Sequence, residues 1–511
     1  MKFHNRKIKK QHRITLKDVF QALNKFNLIR DYSSGIDCSE LNFDYVSYNS
    51  KDIKATTLFI CKGSNFKVEY LKEAAKLGST AYISEEVYQE IHQEIHSNLP
   101  YIKVSDVRKA MAVIGMLYYD YPNKELNLIG ITGTKGKTTT SYFMKNIFDE
   151  YYKSKSAILS SIEVYTGTSL EESHLTTPES LDLQRYFSEA RENSIKHLTM
   201  EVSSQAYKLN RVFGVNFNIG IFLNIDEDHI GPSEHVDFDD YLSCKKELMK
   251  NCDTAIINAN TREFDSVYNE AKKHCERVII YGTDKGHEYY VTNIRKQGKY
   301  TLFEVNSKNY RKTFAMLMVG RFNIENALAT IIAARALGVD EESIYNGIKN
   351  TTVKGRMNIF ENNKVTVIVD FAHNHLSFSK LYETIKLDYP GRRIVTVVGC
   401  AGGKAFLRRR DIGSLSGKYA QYIYLTAEDP QYEDVKEICM DIAQYIKPYK
   451  APYEIIEDRT EAIEKAILTA KKGDVIILAA KGEVAYQKVG NEYKYYESDI
   501  SIAKRCLKIK D

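Results

Sequence analysis

The 511-residue sequence has no apolar stretch close to the ~20 residues that a membrane-spanning helix needs, and no apolar core follows its basic start as in a signal peptide. Its eight cysteines form no CxxC pair, so a zinc site is not supported and the thiols are expected to be reduced and scattered. No internal repeat or long low-complexity linker is visible. These absences favour a cytoplasmic protein without stable membrane insertion.

A large excess of one charge sign is also missing. The formal net charge of +5 is spread over the whole length and argues only weakly for a polyanionic partner, so no nucleic-acid partner is expected. The first 13 residues, MKFHNRKIKKQHR, carry six Lys or Arg and no acid. A frayed, solvated terminus is the favoured interpretation, and a nucleic-acid or membrane tail is the alternative.

The length and the changes of pattern along the chain predict three α/β domains. A chain of 511 residues is long enough for about three domains of roughly 150 residues each. A proline and polar residues interrupt the pattern in YDYPNKELN, and the pattern restarts near Val353. The predicted domains are therefore residues 1–121, 122–352 and 353–511, the first of which mixes short strands and helices.

The second and third domains carry the clearest strand patterns. Near-continuous apolar runs in the second domain predict a mostly parallel sheet covered on both faces. Regular alternation of strands and helices in the third domain predicts a doubly wound, Rossmann-like sheet. Ligands gather beyond the carboxyl ends of such strands, so residues 370–373, 400–404, 428–430 and 481–483 are expected to face a cleft.

The stretch LNLIGITGTKGKTTTSYFMKNIF, residues 126–148, predicts a phosphate-binding loop between a buried strand and a helix. Gly133 and Gly136 let backbone N–H groups surround phosphate oxygens, and the start of the helix adds a favourable dipole. Lys137 supplies a positive charge, and the Thr138 hydroxyl is a ligand for Mg²⁺. The spacing is not a standard Walker A motif, because position 131 is isoleucine.

Two further side chains follow successive strands of the same predicted sheet. Glu201 follows the strand in MEVSSQ, and His229 follows another in NIDEDHIG. Taken singly, a Glu at a strand end is more often a surface or cap residue, and a lone histidine is more often an ordinary hydrogen-bonded residue. Glu201 could hold the same Mg²⁺ as the phosphate loop, and both residues gain weight because they occur together after successive strands of one predicted sheet.

At this point the sequence resembles the Mur ligases, the ATP-dependent amide-bond enzymes of peptidoglycan precursor synthesis, and is most similar to the MurE type. TGTKGKTT resembles the family pattern TGTNGKTT, TTPESLDLQ resembles TTPE-x-x-x-L, and EVSSQAYKLNRV resembles EVSSHxLxxxRV. NIDEDHI, YLSCKKEL, GRFNIENALA, VKGRM and VDFAHN match five further family patterns in the same order. The resemblance covers nearly the whole chain.

The resemblance implies three domains that bind, in chain order, a uridine nucleotide, ATP and an amino acid. Lys137 would hold the ATP phosphates, Thr138 and Glu201 would bind one Mg²⁺, and His229 would bind a second. Lys245 falls where the family carries a lysine carbamylated by CO₂, so Lys137, Glu201, His229 and Lys245 form the implied catalytic group. The implied ATP-binding residues are Gly133, Thr134, Gly136, Lys137, Thr138, Thr139, Asn326, Arg356 and Asp370.

The resemblance also implies the acceptor and its contacts. A MurE-type enzyme joins the third amino acid to UDP-N-acetylmuramoyl-L-alanyl-D-glutamate through an acyl phosphate. The uridine diphosphate would meet Ser50, and the muramoyl-dipeptide would meet Thr176, Thr177, Ser203, Gln205 and Arg211. All partners would then be small molecules, and the chain is expected to be a monomer.

The amino-acid pocket departs from the family pattern. Diaminopimelate-adding relatives carry DNPR, whereas this chain has Glu428, Asp429, Pro430 and Gln431. Glutamine lacks the charged bidentate pairing of arginine, so L-lysine is favoured over meso-diaminopimelate, with the two acids presented to the lysine ε-ammonium. The implied pocket residues are Lys404, Glu428, Asp429, Gln431 and Glu483.

Three alternatives stay open at this point. Folylpolyglutamate synthetase belongs to the same superfamily, although TTPES and EVSSQ favour the muramoyl acceptor. A non-catalytic nucleotide-binding partner with the same fold would be expected to lose the catalytic group, which is present. A P-loop kinase or GTPase would act without an amine acceptor.

Overall fold

The structure, a computed structural model, describes residues 12–33, 41–63, 66–89, 91, 99–173, 175–231, 234–403 and 406–509. Residues 1–11 of the basic amino-terminal segment lie outside the described residues. Three large sheets organise the described part, and one falls within each of the three predicted segments. The boundaries at 121/122 and 352/353 themselves stay a prediction.

The first sheet has five strands in the order β2-β7-β6-β5-β4. Its apolar side chains fill two clusters, one around Leu58 and Ile83 and one around Phe59 and Tyr82, because successive residues of a strand point to opposite faces. The elements of this region are β1 Ile14–Thr15, α1 Leu16–Asn24, β2 Ile29–Tyr32, β3 Asn42–Phe43, β4 Tyr45–Ser47, β5 Thr57–Ile60, α2 Val68–Leu77, β6 Ser79–Ser84, β7 Tyr101–Val104 and α3 Val107–Tyr118.

The second sheet has eleven strands in the order β11-β10-β9-β12-β8-β13-β14-β15-β16-β17-β18. Its strands are β8 Asn127–Thr132, β9 Ala157–Leu159, β10 Glu163–Tyr165, β11 Leu170–Glu172, β12 His197–Glu201, β13 Phe217–Phe222, β14 Cys252–Asn258, β15 Arg277–Gly282, β16 Tyr289–Gln297, β17 Tyr300–Ser307 and β18 Tyr310–Met316. Its helices are α4 Lys137–Tyr152, α5 Ser180–Glu192, α6 Ser204–Lys208, α7 Phe238–Lys250, α8 Phe264–His274, α9 Arg321–Ala336 and α10 Glu341–Asn350.

The middle of this sheet is parallel and buried on both faces, as the apolar runs predict. Ile129 and Ile131 of β8 enter one hydrophobic cluster, whereas Leu128 enters the cluster on the opposite face. Both edges of the sheet are antiparallel. Cys252 and Cys275 are not scattered as expected, since their Sγ atoms lie 3.5 Å apart.

The third sheet has the order β19-β20-β24-β21-β22-β23, and all its pairs are parallel except β19 with β20. Helices cover both faces, so the predicted doubly wound α/β architecture is confirmed. The elements are β19 Asn358–Glu361, β20 Thr366–Asp370, α11 His375–Asp388, β21 Ile394–Val398, α12 Phe406–Tyr419, β22 Tyr422–Leu425, α13 Val435–Ile446, β23 Tyr453–Ile455, α14 Arg459–Leu468, β24 Val475–Ala479, β25 Tyr486–Val489, β26 Glu492–Tyr495 and α15 Asp499–Leu507.

No helix among the described residues is both long and apolar enough to cross a bilayer.

The packing of α10 against α4 sets the position of the helix that follows the phosphate loop. A Cβ atom added at Gly347 of α10 would lie 2.5 Å from Ile147 Cα, in the backbone of α4. We expect Gly347→Ala to lower the free energy of unfolding by about 1–3 kcal/mol, because the two backbones must separate. Urea denaturation measures the change.

Gly286→Ala is the matched control, since no described heavy atom comes within 4 Å of a Cβ at that position. Equal stability of the Gly347 and Gly286 variants would contradict the close packing.

Candidate active site

The loop between β8 and α4 leaves the first N–H groups of the helix free to bind an anion. Gly136 caps α4 with φ +91°, and a Cβ there would lie 2.5 Å from Asn326 Oδ1, so only glycine fits. Thr140 N donates to Gly136 O at 2.9 Å as the helix begins. The backbone N–H groups that precede Thr140 in the helix have no carbonyl one turn earlier to accept their hydrogen bonds. They therefore form the anion-binding site that the sequence predicts.

Two lysine ammonium groups meet at one carbonyl oxygen of this loop. Lys137 Nζ donates to Gly133 O at 2.7 Å, and Lys245 Nζ donates to the same oxygen at 2.9 Å. Burial, reinforced by the charge of Lys137, holds the pKa of Lys245 well below its ordinary value. Burial also lowers the pKa of Lys137, against the pull of Glu201 and Asp228.

A serine connects the two side chains predicted to share one metal. Ser161 donates from its backbone N and its Oγ to Glu201 Oε1, at 2.8 and 3.1 Å, and its Oγ lies 2.9 Å from Thr138 Oγ1. Glu201 is 1% exposed, so its carboxylate is fixed at the end of β12 by these bonds. Two hydroxyls and one carboxylate therefore converge within hydrogen-bond distance.

His229 lies beside the phosphate loop with one ring nitrogen hydrogen-bonded. Its Nδ1 lies 2.7 Å from Glu234 Oε1, and its backbone has φ +57°. Donation of the Nδ1 proton to Glu234 leaves Nε2 as an acceptor, which is the arrangement of metal-binding histidines. Asp228, the preceding residue, is buried, and its Oδ2 lies 3.8 Å from His229 Nε2.

One cavity of about 750 Å³ joins the second and third domains. Of the predicted metal ligands, Thr138, Glu201 and His229 line it, whereas Lys245 lies behind the loop at Gly133 O. The other predicted residues on its wall are Thr134, Gly136, Lys137, Thr139, Thr176, Asn326, Arg356, Asp370, Glu428 and Asp429. Residues distant in sequence are thus brought to one place at the ends of parallel strands.

The third domain contributes a guanidinium and a carboxylate to this cavity. The Arg356 guanidinium carbon lies 4.4 Å from the ring centre of Phe371. Asp370 accepts bonds from Met357 N and Ala372 N, both at 2.8 Å, and burial raises the pKa of its carboxyl. Burial lowers the pKa of Arg356, although the charge of Asp370 opposes that effect.

The residues assigned to the muramoyl-dipeptide form a hydrogen-bonded group next to Glu201. Thr177 Oγ1 donates to Glu201 O at 2.9 Å and accepts from Ser203 N at 3.0 Å. Arg211 Nη1 donates to Thr177 O at 3.1 Å. Gln205 lies in the short helix α6 that begins directly after Ser203.

A second cavity of about 840 Å³ contains Ser50 and lies between the first and second domains. Ser50 Oγ donates to Glu73 Oε2 at 2.5 Å. Behind this cavity, the carboxylate of Glu179 pairs with three cations at 3.1–3.3 Å: Lys62, Arg108 and Arg211. Since Arg211 also contacts Thr177, this cluster connects the second cavity to the dipeptide residues.

The two acids predicted to bind the incoming amino acid differ in their surroundings. Asp429 Oδ1 accepts bonds from Lys481 Nζ at 2.7 Å and Lys488 N at 3.0 Å, so its charge is already compensated. Glu428 forms no hydrogen bond or ion pair with a described residue, and burial together with Asp429 raises its pKa to about 7. Glu428 is therefore the acid left for an incoming cation.

Gln431 and Glu483, also predicted for the amino-acid pocket, are not among the residues that line the cavity. Gln431 adopts φ +54°, and its N–H donates to Lys488 O at 2.9 Å. Glu483 follows β24, and its Oε2 is buried without a partner among the described residues. Lys404 lies outside the described residues.

Comparisons with known proteins agree with this arrangement. The Mur ligase middle domain matches residues 131–334, and the Mur ligase, glutamate ligase domain matches residues 355–482. The UDP-N-acetylmuramoyl-L-alanyl-D-glutamate–L-lysine ligase of Enterococcus faecalis is 40% identical over 91% of this chain and 92% of its own. The chain belongs to the Mur ligase family. The ligase of the same name from Streptococcus sanguinis is 39% identical over 97% of this chain and 100% of its own.

Solved structures with this fold include other Mur ligases. A UDP-N-acetylmuramoyl-L-alanyl-D-glutamate–2,6-diaminopimelate ligase matches with a TM-score of 0.65 and 21% identity over 97% of this chain and 99% of its own. The MurF ligase of Thermotoga maritima in complex with ADP has a TM-score of 0.58 and 18% identity, over 91% of this chain and 96% of its own. Mur ligases use ATP and Mg²⁺.

Three residues of the site, Ser161, Asp228 and Lys135, are not predicted from the sequence, whereas His373 and Lys481 fall in the ranges 370–373 and 481–483 that are expected to face a cleft. Asp228 stands inside the motif NIDEDHI, next to His229. Lys135 occupies the position of asparagine in the family pattern, which is a usable signal. Ser161 has no local signal, because its partner Glu201 is distant along the chain.

The raised pKa of Glu428 makes a pH-dependent contribution to stability. The folded state favours the protonated acid, so stability is lost as the pH rises from the ordinary value of 4.5 to about 7. We expect Glu428→Gln to be more stable than the wild type at pH 8 by up to about 3 kcal/mol, and close to it at pH 5. Urea denaturation at the two pH values gives the comparison.

Glu492→Gln, at an exposed carboxylate, is the control and should show no such difference. If Glu428→Gln and the wild type differ in free energy of unfolding by the same amount at both pH values, the pKa of Glu428 is not raised in the folded protein.

Proposed function

We propose that this chain is an ATP-dependent ligase that adds L-lysine to UDP-N-acetylmuramoyl-L-alanyl-D-glutamate in cytoplasmic peptidoglycan precursor synthesis. The observation that carries the proposal is the single cavity that holds the phosphate loop, Glu201 and His229 at one end and Glu428 at the other. The names of the relatives that match nearly the whole chain support the same acceptor and donor. All described residues of the site come from one chain, and we propose a monomer.

The phosphate loop and the cavity wall would hold ATP. Its phosphates carry negative charge into a site where Lys137 and the start of α4 provide positive charge. When ATP binds, the Lys137 ammonium would leave its hydrogen bond to Gly133 O and donate to phosphate oxygens instead. Asn326, Arg356 and Asp370 would contact the rest of the nucleotide from α9 and from the third domain.

The donor atoms beside the loop fit Mg²⁺. Hydroxyl and carboxylate oxygens of Thr138 and Glu201 are ligands that Mg²⁺ prefers, and His229 adds Nε2. Mg²⁺ would supply charge neutralisation on the phosphate oxygens during transfer. Ser161 keeps Glu201 in position through its two hydrogen bonds.

Lys245 would complete the metal site as a carbamate. Its ammonium repels cations, but the neutral amine favoured by burial attacks the carbon of CO₂ and then loses a proton, which gives an anionic N-carboxyl group. The carbamate oxygens would offer anionic ligands to the metal. The neutral buried amine would thereby gain a negative charge.

The acceptor would span both cavities. Ser50 and the second cavity would hold the uridine diphosphate, and the group formed by Thr176, Thr177, Ser203, Gln205 and Arg211 would hold the muramoyl-dipeptide. The free carboxylate of the acceptor attacks the γ-phosphorus of ATP, and the bond to ADP breaks. The amine of lysine then attacks the acyl carbon, and phosphate leaves.

The pocket for the incoming amino acid would recognise the positive charge of the lysine side chain. Glu428 faces the cavity without a partner among the described residues, whereas Lys481 already compensates Asp429. Gln431 lacks the charge that would pair with the second carboxylate of meso-diaminopimelate. Lys404 and Glu483 would complete the pocket around the amino acid.

Phosphate release from ATP with UDP-N-acetylmuramoyl-L-alanyl-D-glutamate and a panel of amino acids tests the proposal. We expect L-lysine to give ADP, phosphate and tripeptide, with meso-diaminopimelate at least about ten-fold less effective in kcat/KM. Gln431→Arg should reduce that preference, because arginine pairs with a carboxylate. Gln444→Arg, on an exposed position of α13, should leave it unchanged.

Phosphate release that never depends on an amino acid would reject the proposed ligase activity. Phosphate release that requires folylpolyglutamate and glutamate would instead indicate a folylpolyglutamate synthetase.

Replacement of Lys245 tests the carbamate. We expect Lys245→Ala to lower kcat by at least about 100-fold, because an anionic ligand is removed. A short-chain carboxylate in the buffer should restore part of the activity by occupying the place of the carbamate. Lys250→Ala, at the exposed end of the same helix, is the control. Wild-type activity in the Lys245 variant would exclude an essential role.

A further inference from the structure

A buried carboxylate of the second domain contacts two elements of the third. Asp228 Oδ1 accepts a bond from Arg408 Nη2 of α12 at 2.7 Å. Its Oδ2 accepts from Asn374 Nδ2, the residue that caps α11, at 2.5 Å. The side chain of Asp228 is 3% exposed, so both bonds are shielded from water.

A second contact crosses between the same domains directly beside the first. Lys135 of the phosphate loop donates from Nζ to His373 Nε2 at 3.0 Å and lies 3.7 Å from Asp228 Oδ2. His373 Nδ1 lies 2.8 Å from Phe371 O, which fixes Nε2 as the acceptor. Burial and the neighbouring cations Lys135 and Arg408 lower the pKa of His373 well below its ordinary value, so the ring is neutral.

The charge of Asp228 decides whether these contacts are favourable. Lys135 and Arg408, two basic side chains from different domains, lie 3.7 and 2.7 Å from the carboxylate oxygens of Asp228. Without the negative charge of Asp228, the two basic side chains would repel each other in a buried site, where such repulsion is strong.

We propose that Asp228 is a positioning residue that couples the phosphate loop to the pocket for the incoming amino acid. This inference rests on the proposed function and assigns to Asp228 the alignment of the two domains that its second step requires. Arg408 and Asn374 belong to the domain that carries Glu428, so their bonds to Asp228 fix the distance between the acyl phosphate and the incoming amine. When the coupling is broken, water attacks the acyl phosphate, its acyl–phosphate bond breaks, and the acceptor carboxylate and phosphate are recovered without product.

The test measures ADP formed per tripeptide in Asp228→Asn, Arg408→Gln and the double variant. Wild type should give a ratio near one, and each single variant should give at least about two with kcat/KM for lysine about ten-fold lower. The double variant should give the same ADP-to-tripeptide ratio as the single variants, because each single variant already removes the interaction between Asp228 and Arg408. Additive effects, or a ratio near one in all variants, would overturn the proposal.

Two controls separate coupling from general damage. Arg410→Gln, on the same helix but exposed and paired with Asp411, should behave as wild type. Arg408→Lys keeps a charge at this position and should retain a ratio closer to one than Arg408→Gln.

Amide hydrogen exchange gives a readout that needs no turnover. Without substrates, backbone amides of residues 371–377 should exchange faster in Asp228→Asn and Arg408→Gln than in wild type. Unchanged exchange would overturn the coupling whatever the enzyme activity. Faster exchange in a chain that makes no tripeptide with any amino acid would reject the proposed function and leave the coupling standing.

Discussion

The concentration of buried positive charge around the phosphate loop is the constraint on which the site depends. Lys135, Lys137, Arg356 and Arg408 line one cavity, and Lys245 lies directly behind its loop, where burial favours the neutral amine. Glu201, Asp228 and Asp370 are the carboxylates beside them, and Glu428 adds negative charge only as the pH reaches its pKa of about 7. A site with surplus buried cations is stabilised by polyanions, which is the physical reason why a nucleotide triphosphate suits it.

The parallel sheets deliver these charges to one place. Strands that run in the same direction release their following loops at the same edge, so β8, β12 and β13 supply the phosphate loop, Glu201 and His229. The third sheet turns its own carboxyl edge toward the same cavity, with Asp370 at the end of β20 and Glu428 after β22. Both halves of the site are therefore built on rigid strands, and the contacts at Asp228 set their separation.

Local sequence patterns predict most of the fold and the position of the phosphate loop. Apolar runs gave β8, β12, β13 and β14 within a few residues, and glycines beside Lys137 located the anion-binding site. The antiparallel strands β16–β18 were missed, although their alternating residues and Gly298 at φ +58° are typical of hairpins. Ser161, Asp228 and Lys481 act on partners 40, 180 and 52 residues away, which no local pattern records. The position of Lys245 behind the loop likewise depends on how α7 packs, not on its motif.

The cluster around Glu179 has a consequence for the size of molecule that this protein selects. Three cations converge there on one carboxylate and bridge the two cavities, so a fitting ligand has to carry anionic groups at a set separation. A molecule that contacts both cavities must therefore be long enough to pass this cluster, which makes molecular length a physical basis for selection.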